Sequence, residues 1–375
     1  MLPRARHGAL GAVLLALAWI SCAPGQPVAQ TATASRFAAE IAALSEPGGF
    51  FDTDNLISNE RSYLHAVSDL DDARVHGGVY LGVGPEQNFS YIAAIRPDVA
   101  YLIDIRRDNL LLHLLFRAIF AESATRADYL SILFGRSRVT VPAGSDSIDT
   151  LVDRVDRAGP LAPAALEDLR RRLTTAIKAS GVPLSAADLT TIDRFHRQFI
   201  DGGLSLQFHS TGRAPQFGYP TYRDLALEVD RQGRQRSFLA REEDFQFVKA
   251  LEARDAVIPI VGDLSGATAL AAVARTLAER QQRVTAFYAS NVEFYLFRDG
   301  SFPRWMANLA RLPRADNAVV IRSIFSGGGS PMPGYNSAQV TQSMSELVRG
   351  FGQGRYRNYS ELTVSSRVGR TRLQR

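Results

Sequence analysis

Two hydrophobic periods alternate along the chain: short apolar runs bounded by glycine or proline, and longer stretches with an apolar residue every third or fourth position. Phe37, Ile41 and Leu44 have helical spacing over 36–44, and Pro47-Gly48-Gly49 stops that helix. The polar turn Phe50-Phe51-Asp52-Thr53-Asp54-Asn55 then opens a helix expected to run through Ser58, Tyr63, Leu64 and Val67. Gly77 to Leu81 reads as a buried strand, Gly82 to Gln87 as a tight loop and Asn88 to Ile95 as a short helix. Arg96-Pro97-Asp98 turns the chain into a second strand, Val99 to Asp104. A strand, loop, helix and strand this close together form a βαβ unit with parallel strands and a right-handed crossover. Leu111, Leu114, Leu115, Ala118 and Ile119 place an apolar stripe on a helix over 107–120.

Between about 121 and 250 strand patterns fade and helical ones dominate, at 161–177, 186–199 and 242–251. No linker-like composition flanks this stretch, so it is expected to be a helical insertion in one domain, forming a cap. Sheet resumes with strands at 256–261, 284–288 and 318–324, separated by helices at 268–280 and after Phe302-Pro303.

Composition narrows the class. A chain of 375 residues, 46% hydrophobic, can bury a full core as one large or two modest domains. Its basic residues are almost all arginine and lie scattered among acids, which argues against a nucleic-acid partner, since that requires a clustered patch. The N-terminus changes the picture more. Arg4, Arg6 and His7 precede an apolar run from Ala9 to Ile20, followed by Ser21 and Cys22, the pattern of a secretory leader over 1–22. Cys22 stands where a lipoprotein leader carries its acylated cysteine, which implies membrane attachment; the alternative is a plain leader cut later, for example after Ala34. Residues 23–35 read as a tether, 36–375 as the domain, and the protein as exported to the periplasm or cell envelope. The histidines show no metal-ligand spacing, and no zinc site is expected.

In parallel α/β sheets ligands bind beyond the carboxyl ends of the strands. The residues there are Gly82 to Gln87, Asp104, Gly262-Asp263, Ser290-Asn291 and Ser323 to Gly328. Gly82 and Gly84 leave room for a ligand to approach the backbone, and the following helix N-terminus favours electron-rich groups. Asp104, at the end of the second strand, can accept the hydroxyl hydrogens of a ribose, so the set suggests an adenosine-containing small molecule. The bland alternative is a Gly-x-Gly turn present for geometry alone. Gln87 stands where the dinucleotide fingerprint has its third glycine, and Glu86 would repel a pyrophosphate, so NAD ranks last.

These landmarks resemble the S-adenosylmethionine-dependent methyltransferase superfamily. Tyr80-Leu81-Gly82-Val83-Gly84 resembles its first motif, Asp104 its ribose-binding acid, Gly262-Asp263 the acid that meets the adenine amine, and Ser290-Asn291-Val292-Glu293-Phe294-Tyr295 its fourth motif. The strings from Phe51 to Glu60 and from Gly82 to Tyr91 also resemble an uncharacterised bacterial family, some of whose members carry lipoprotein leaders. The resemblance implies an α/β, Rossmann-like, mostly parallel seven-stranded sheet, with the helical insertion between the second and third strands. It further implies S-adenosylmethionine held by Gly82, Gly84, Glu86, Gln87, Asp104 and Asp263. Asn291 would orient a nucleophile, Glu293 would act as base and Tyr295 would stack on a substrate ring; alternatively Asn291 caps the next helix and Tyr295 is core. Two departures stand out: Gly78 or Val79 replaces the acid that opens the first motif, and the insertion is long. The expected function is methyl transfer to a small acceptor, with two alternatives: an exported binding or surface protein that keeps the fold, and a nicotinamide oxidoreductase.

Overall fold

The computed structural model describes residues 35–140, 147–210, 218–325 and 334–364. The leader, Cys22, nearly all of the tether and the glycine-rich stretch after Phe325 lie outside the described residues.

Helix α1 (Arg36–Leu44) is capped by Ser35, whose hydroxyl accepts from the Ala38 amide. The helix expected from Ser58 starts later: 56–60 is irregular, a 3-10 turn covers Arg61–Leu64, and α2 spans His65–Asp72. Leu56 and Ile57 are buried in that irregular stretch, and the Ser58 hydroxyl accepts from the Glu60 amide, a local bond that competes with helix. Gly77 and Gly78 take left-handed φ values of 68° and 64°, so β1 begins after them, at Val79–Val83. Next come α3 (Gln87–Ile95), β2 (Val99–Asp104) and α4 (Arg107–Glu122).

Between β2 and the next strand the chain forms helices: α5 (Arg126–Leu133), α6 (Ile148–Arg157), α7 (Pro163–Ala179), α8 (Ala186–Gly202), α9 (Tyr222–Ala226) and α10 (Glu242–Ala253). Three of them start with reciprocal capping boxes, Thr125 with Asp128, Ser185 with Asp188 and Thr221 with Asp224, each pair satisfying amides that the first turn leaves free. Helices α7 and α8 pack on α4, tying the insertion to the sheet layer. The sheet continues with β3 (Val257–Val261), α11 (Ala269–Glu279), β4 (Val284–Ser290), α12 (Val292–Arg298), α13 (Phe302–Arg311), β5 (Arg314–Phe325), β6 (Ser337–Ser343) and α14 (Met344–Gly352).

The described strands form one six-stranded sheet in the order β3-β2-β1-β4-β5-β6, parallel throughout except for β6, which runs antiparallel to β5 at the edge. Strands β1 and β3 are buried on both faces, which is why they read as unbroken apolar runs. The strand order reverses between β1 and β4: the chain leaves β1 for β2 on one side and later returns to β4 on the other. That reversal opens a crevice beyond the carboxyl ends of the strands, where open α/β sheets bind ligands.

Candidate functional site

The carboxyl ends of β1, β2, β3 and β4 surround one cleft of about 450 Å³, within the size range of small-molecule sites. Its sides come from four further regions: the 50–60 segment, Phe208 and Tyr219 of the insertion, Tyr295 of α12 and Arg304 of α13. Phe51 and Tyr295 meet edge-to-face, 5.0 Å between ring centres.

Asn88, a buried side chain at the start of α3, shapes the loop after β1. Its amide nitrogen donates to the carbonyls of Val83, Gly84 and Pro85, and its oxygen accepts from the Tyr80 hydroxyl at 2.7 Å. Gly84 has φ of 82°, which favours glycine. Its carbonyl also accepts from His113 Nε2 at 2.9 Å. Burial lowers the His113 pKa to about 4, so the ring is neutral and carries its hydrogen on Nε2. Gln87 lines the cleft and donates to the Tyr288 hydroxyl at 3.2 Å, leaving its buried carbonyl oxygen without a partner.

Asp104 lies in the cleft wall, as the strand-end position implies, but both its oxygens are engaged. Arg106 Nε reaches Oδ1 at 3.1 Å and Nη2 reaches Oδ2 at 2.9 Å, while the Arg106 amide adds a third bond. The same guanidinium donates to the carbonyls of Thr53 and Asp54, fixing the 50–60 segment beside the cleft. A carboxylate has about four acceptor positions, so Asp104 keeps little capacity for a ligand unless Arg106 shares it. Asp263 is also in the cleft, accepting from the amide and hydroxyl of Ser265. Glu46, which no local sequence pattern marks, accepts from the amides of Asp263, Thr268 and Ala269, and so occupies the N-terminus of α11.

Of the expected catalytic trio, Asn291 and Tyr295 line the cleft. The Asn291 side chain makes no capping bond, although its residue stands at the helix start. Glu293 is not at the cleft. It is buried on the β5 side of α12, where Arg322 grips it through Nε to Oε2 at 2.5 Å and Nη2 to Oε1 at 3.0 Å, a pairing that holds it away from the cleft. Gly82 also departs from the expectation: it belongs to β1, and a Cβ there would collide with Asn88 and Tyr80, so its smallness serves packing and not a ligand.

Glu86 turns away from the cleft toward the insertion, where Tyr222 and Tyr129 donate to it at 3.3 and 3.5 Å. The repulsion of pyrophosphate expected from Glu86 therefore has no basis. Burial raises the Glu86 pKa to about 8, and the tyrosine bonds only partly oppose this. The folded protein thus keeps a proton that the unfolded chain releases near the ordinary carboxylate pKa, so stability falls as pH rises between that value and about 8, by up to ~1.4 kcal/mol per pH unit. Urea unfolding of Glu86→Gln across that window is expected to give a shallower pH dependence than wild type; equal slopes would refute this.

Glu60, like Arg106, is a cleft residue that sequence reasoning missed. It is 1% exposed and accepts from the Tyr288 hydroxyl at 2.6 Å, from Gln339 Nε2 at 2.8 Å and from the Ser290 hydroxyl. The one available signal was an isolated acid between the apolar residues Ile57 and Tyr63-Leu64. In all, the cleft is lined by the acids Asp52, Glu60, Asp104, Asp263 and Asp299 against Arg106, Arg298 and Arg304, a balance that suits a cationic ligand better than an anionic one.

No curated protein matches the chain. The model of a family described as Domain of unknown function (DUF7790) matches residues 56–142 and 215–366, spanning every described strand and passing over α6, α7 and α8. That match covers more than half of the sequence, and the chain belongs to this family.

Proposed function

We propose that the cleft binds S-adenosylmethionine and that the protein transfers its methyl group to a small acceptor. The observation that carries this reading is convergence: Gly84 after β1, Asp104 at the end of β2, Asp263 after β3 and Asn291 after β4 all line the same cleft. The strand order, with its reversal beside β1 and an antiparallel edge strand, supports a Rossmann-like sheet of the methyltransferase type. An excess of acids favours a sulfonium over a pyrophosphate, which keeps the nicotinamide reading last. Displacement at a sulfonium methyl needs chiefly alignment of donor and acceptor, and a walled cleft supplies that.

A second reading has its own support. Arg106 already fills most of Asp104, and an exported protein, lipid-anchored at Cys22 or not, would lie apart from the cytoplasmic source of the cofactor. Both points favour a binding protein that keeps the architecture without the reaction. Thermal unfolding with S-adenosylmethionine, S-adenosylhomocysteine and NAD tests the first reading. A ligand at about 100 times its Kd adds ~2.7 kcal/mol and raises the midpoint by several degrees. A rise with both adenosyl compounds and none with NAD is expected; no rise with either adenosyl compound would refute cofactor binding.

A further inference from the structure

The strongest unassigned group is the Glu60 carboxylate, and the inference drawn from it rests on the methyl-transfer reading. Oε2 accepts two hydrogen bonds, from Tyr288 and Gln339, whereas Oε1 accepts one, from the Ser290 hydroxyl. All three donors are neutral, and among the described residues no arginine, lysine or histidine pairs with Glu60. A carboxylate has about four acceptor positions. The unfilled one is therefore on Oε1, the oxygen shared with Ser290, and both side chains border the cleft.

The turn that carries Ser290 is built for this contact. Ser290 has φ of 52°, a left-handed conformation that is unfavourable for a residue other than glycine and that recurs at functional sites. Burying an acid with neutral partners alone is also unfavourable, and a ligand hydrogen donated to Oε1 would relieve it. Phe51 and Tyr295 line the same cleft and offer an aromatic wall, whereas an anionic acceptor would face the charge of Glu60.

We propose that Glu60 Oε1 takes the proton from the methyl acceptor and that the acceptor is a phenol. In this step a lone pair of the phenol oxygen forms the new bond to the methyl carbon. The sulfur–methyl bond breaks with its electron pair going to sulfur, leaving a neutral thioether. The O–H pair stays on oxygen as its proton passes to Oε1, and Glu60 later releases that proton to water. Products are an aryl methyl ether and S-adenosylhomocysteine.

The test compares full-length wild type with Glu60→Gln and Glu60→Asp, using 4-methylphenol and the more acidic 4-nitrophenol at mildly alkaline pH, where the latter is already ionised. S-adenosylhomocysteine affinity is measured for each protein. Wild type is expected to methylate 4-methylphenol, and Glu60→Gln to lose about 10²–10⁴-fold on it while recovering most of its rate with the ionised phenol. Such recovery separates a proton acceptor from a residue that merely supports the fold. Glu60→Asp, which keeps the charge but withdraws the carboxylate, should also lose rate on 4-methylphenol and recover only in part with the ionised phenol, whose charge it still opposes; it covers the case in which the glutamine variant does not fold. Equal rates on 4-methylphenol for wild type and variants, zero included, with S-adenosylhomocysteine still bound, would overturn the assignment alone. Failure of wild type to bind S-adenosylhomocysteine would overturn the methyl-transfer reading and this assignment with it.

Discussion

Replacing Glu293 by alanine is expected to destabilise the protein by about 3–5 kcal/mol, because it strands the guanidinium of Arg322 inside the fold. The two side chains are 1% and 0% exposed, and they join α12 to β5 through two hydrogen bonds. Arg322 also donates to Gln342 at 2.7 Å, which extends the link to β6. Coulomb attraction offsets the desolvation of such a pair while both partners are present; without the acid that compensation disappears. Urea unfolding of Glu293→Ala measures the loss. Replacing both residues together, Glu293→Leu with Arg322→Met, should restore much of it, since apolar side chains carry no charge to desolvate. A loss below about 1 kcal/mol in the single variant would mean that water reaches Arg322, and the pair would then be no more than an exposed contact.

The second large effect concerns ligand affinity. Asp104→Ala is expected to weaken S-adenosylhomocysteine by about 2–3 kcal/mol, roughly 30- to 150-fold, as the charge-assisted hydrogen bond that its one remaining acceptor position offers the ribose is lost. Arg106 complicates this in an informative way. In the variant it keeps its bonds to the carbonyls of Thr53 and Asp54 but, buried like Arg322, loses its carboxylate, so a loss of stability is expected beside the loss of binding. Calorimetric titration alongside urea unfolding separates the two. Unchanged affinity would mean that the Asp104–Arg106 pair is structural and that the ribose, if bound, lies elsewhere.

How much of this was legible in the sequence depended on what each residue had to satisfy. Strand β2 occupies 99–104 as its apolar run implied, because a strand buried on both faces leaves no ambiguity of period and turn residues bound it. The positions at strand ends were legible too: Gly84, Gln87, Asp104, Asp263, Asn291 and Tyr295 all reach the cleft. Direction was less so. On a helix, Asn291 and Tyr295 are four residues apart and share a face, whereas Glu293 lies roughly 200° around from Asn291 and points at Arg322 on β5. Sequence position identified the element, but only the packing of β5 decided which side of α12 faced a charge. Glycine marks turns, which places Gly82 in the loop on sequence alone, yet its pairing with Leu102 keeps it in β1. Arg106, Glu46 and Glu60 act across long sequence separations, on the 50–60 segment, on α11 and on β4 with β6. No local pattern encodes such pairings. The six described strands, against the seven implied by resemblance, leave the parallel core and its antiparallel edge as the part of the architecture observed.

A crystal structure of the protein with S-adenosylhomocysteine would show whether one cleft at the strand ends holds an adenosyl ligand. The ligand is expected in this cleft, with a ribose hydroxyl at Asp104, its adenine beside Asp263 and its sulfur facing Ser290 and Glu60. An empty cleft at saturating ligand, or a ligand bound anywhere else, would contradict that expectation.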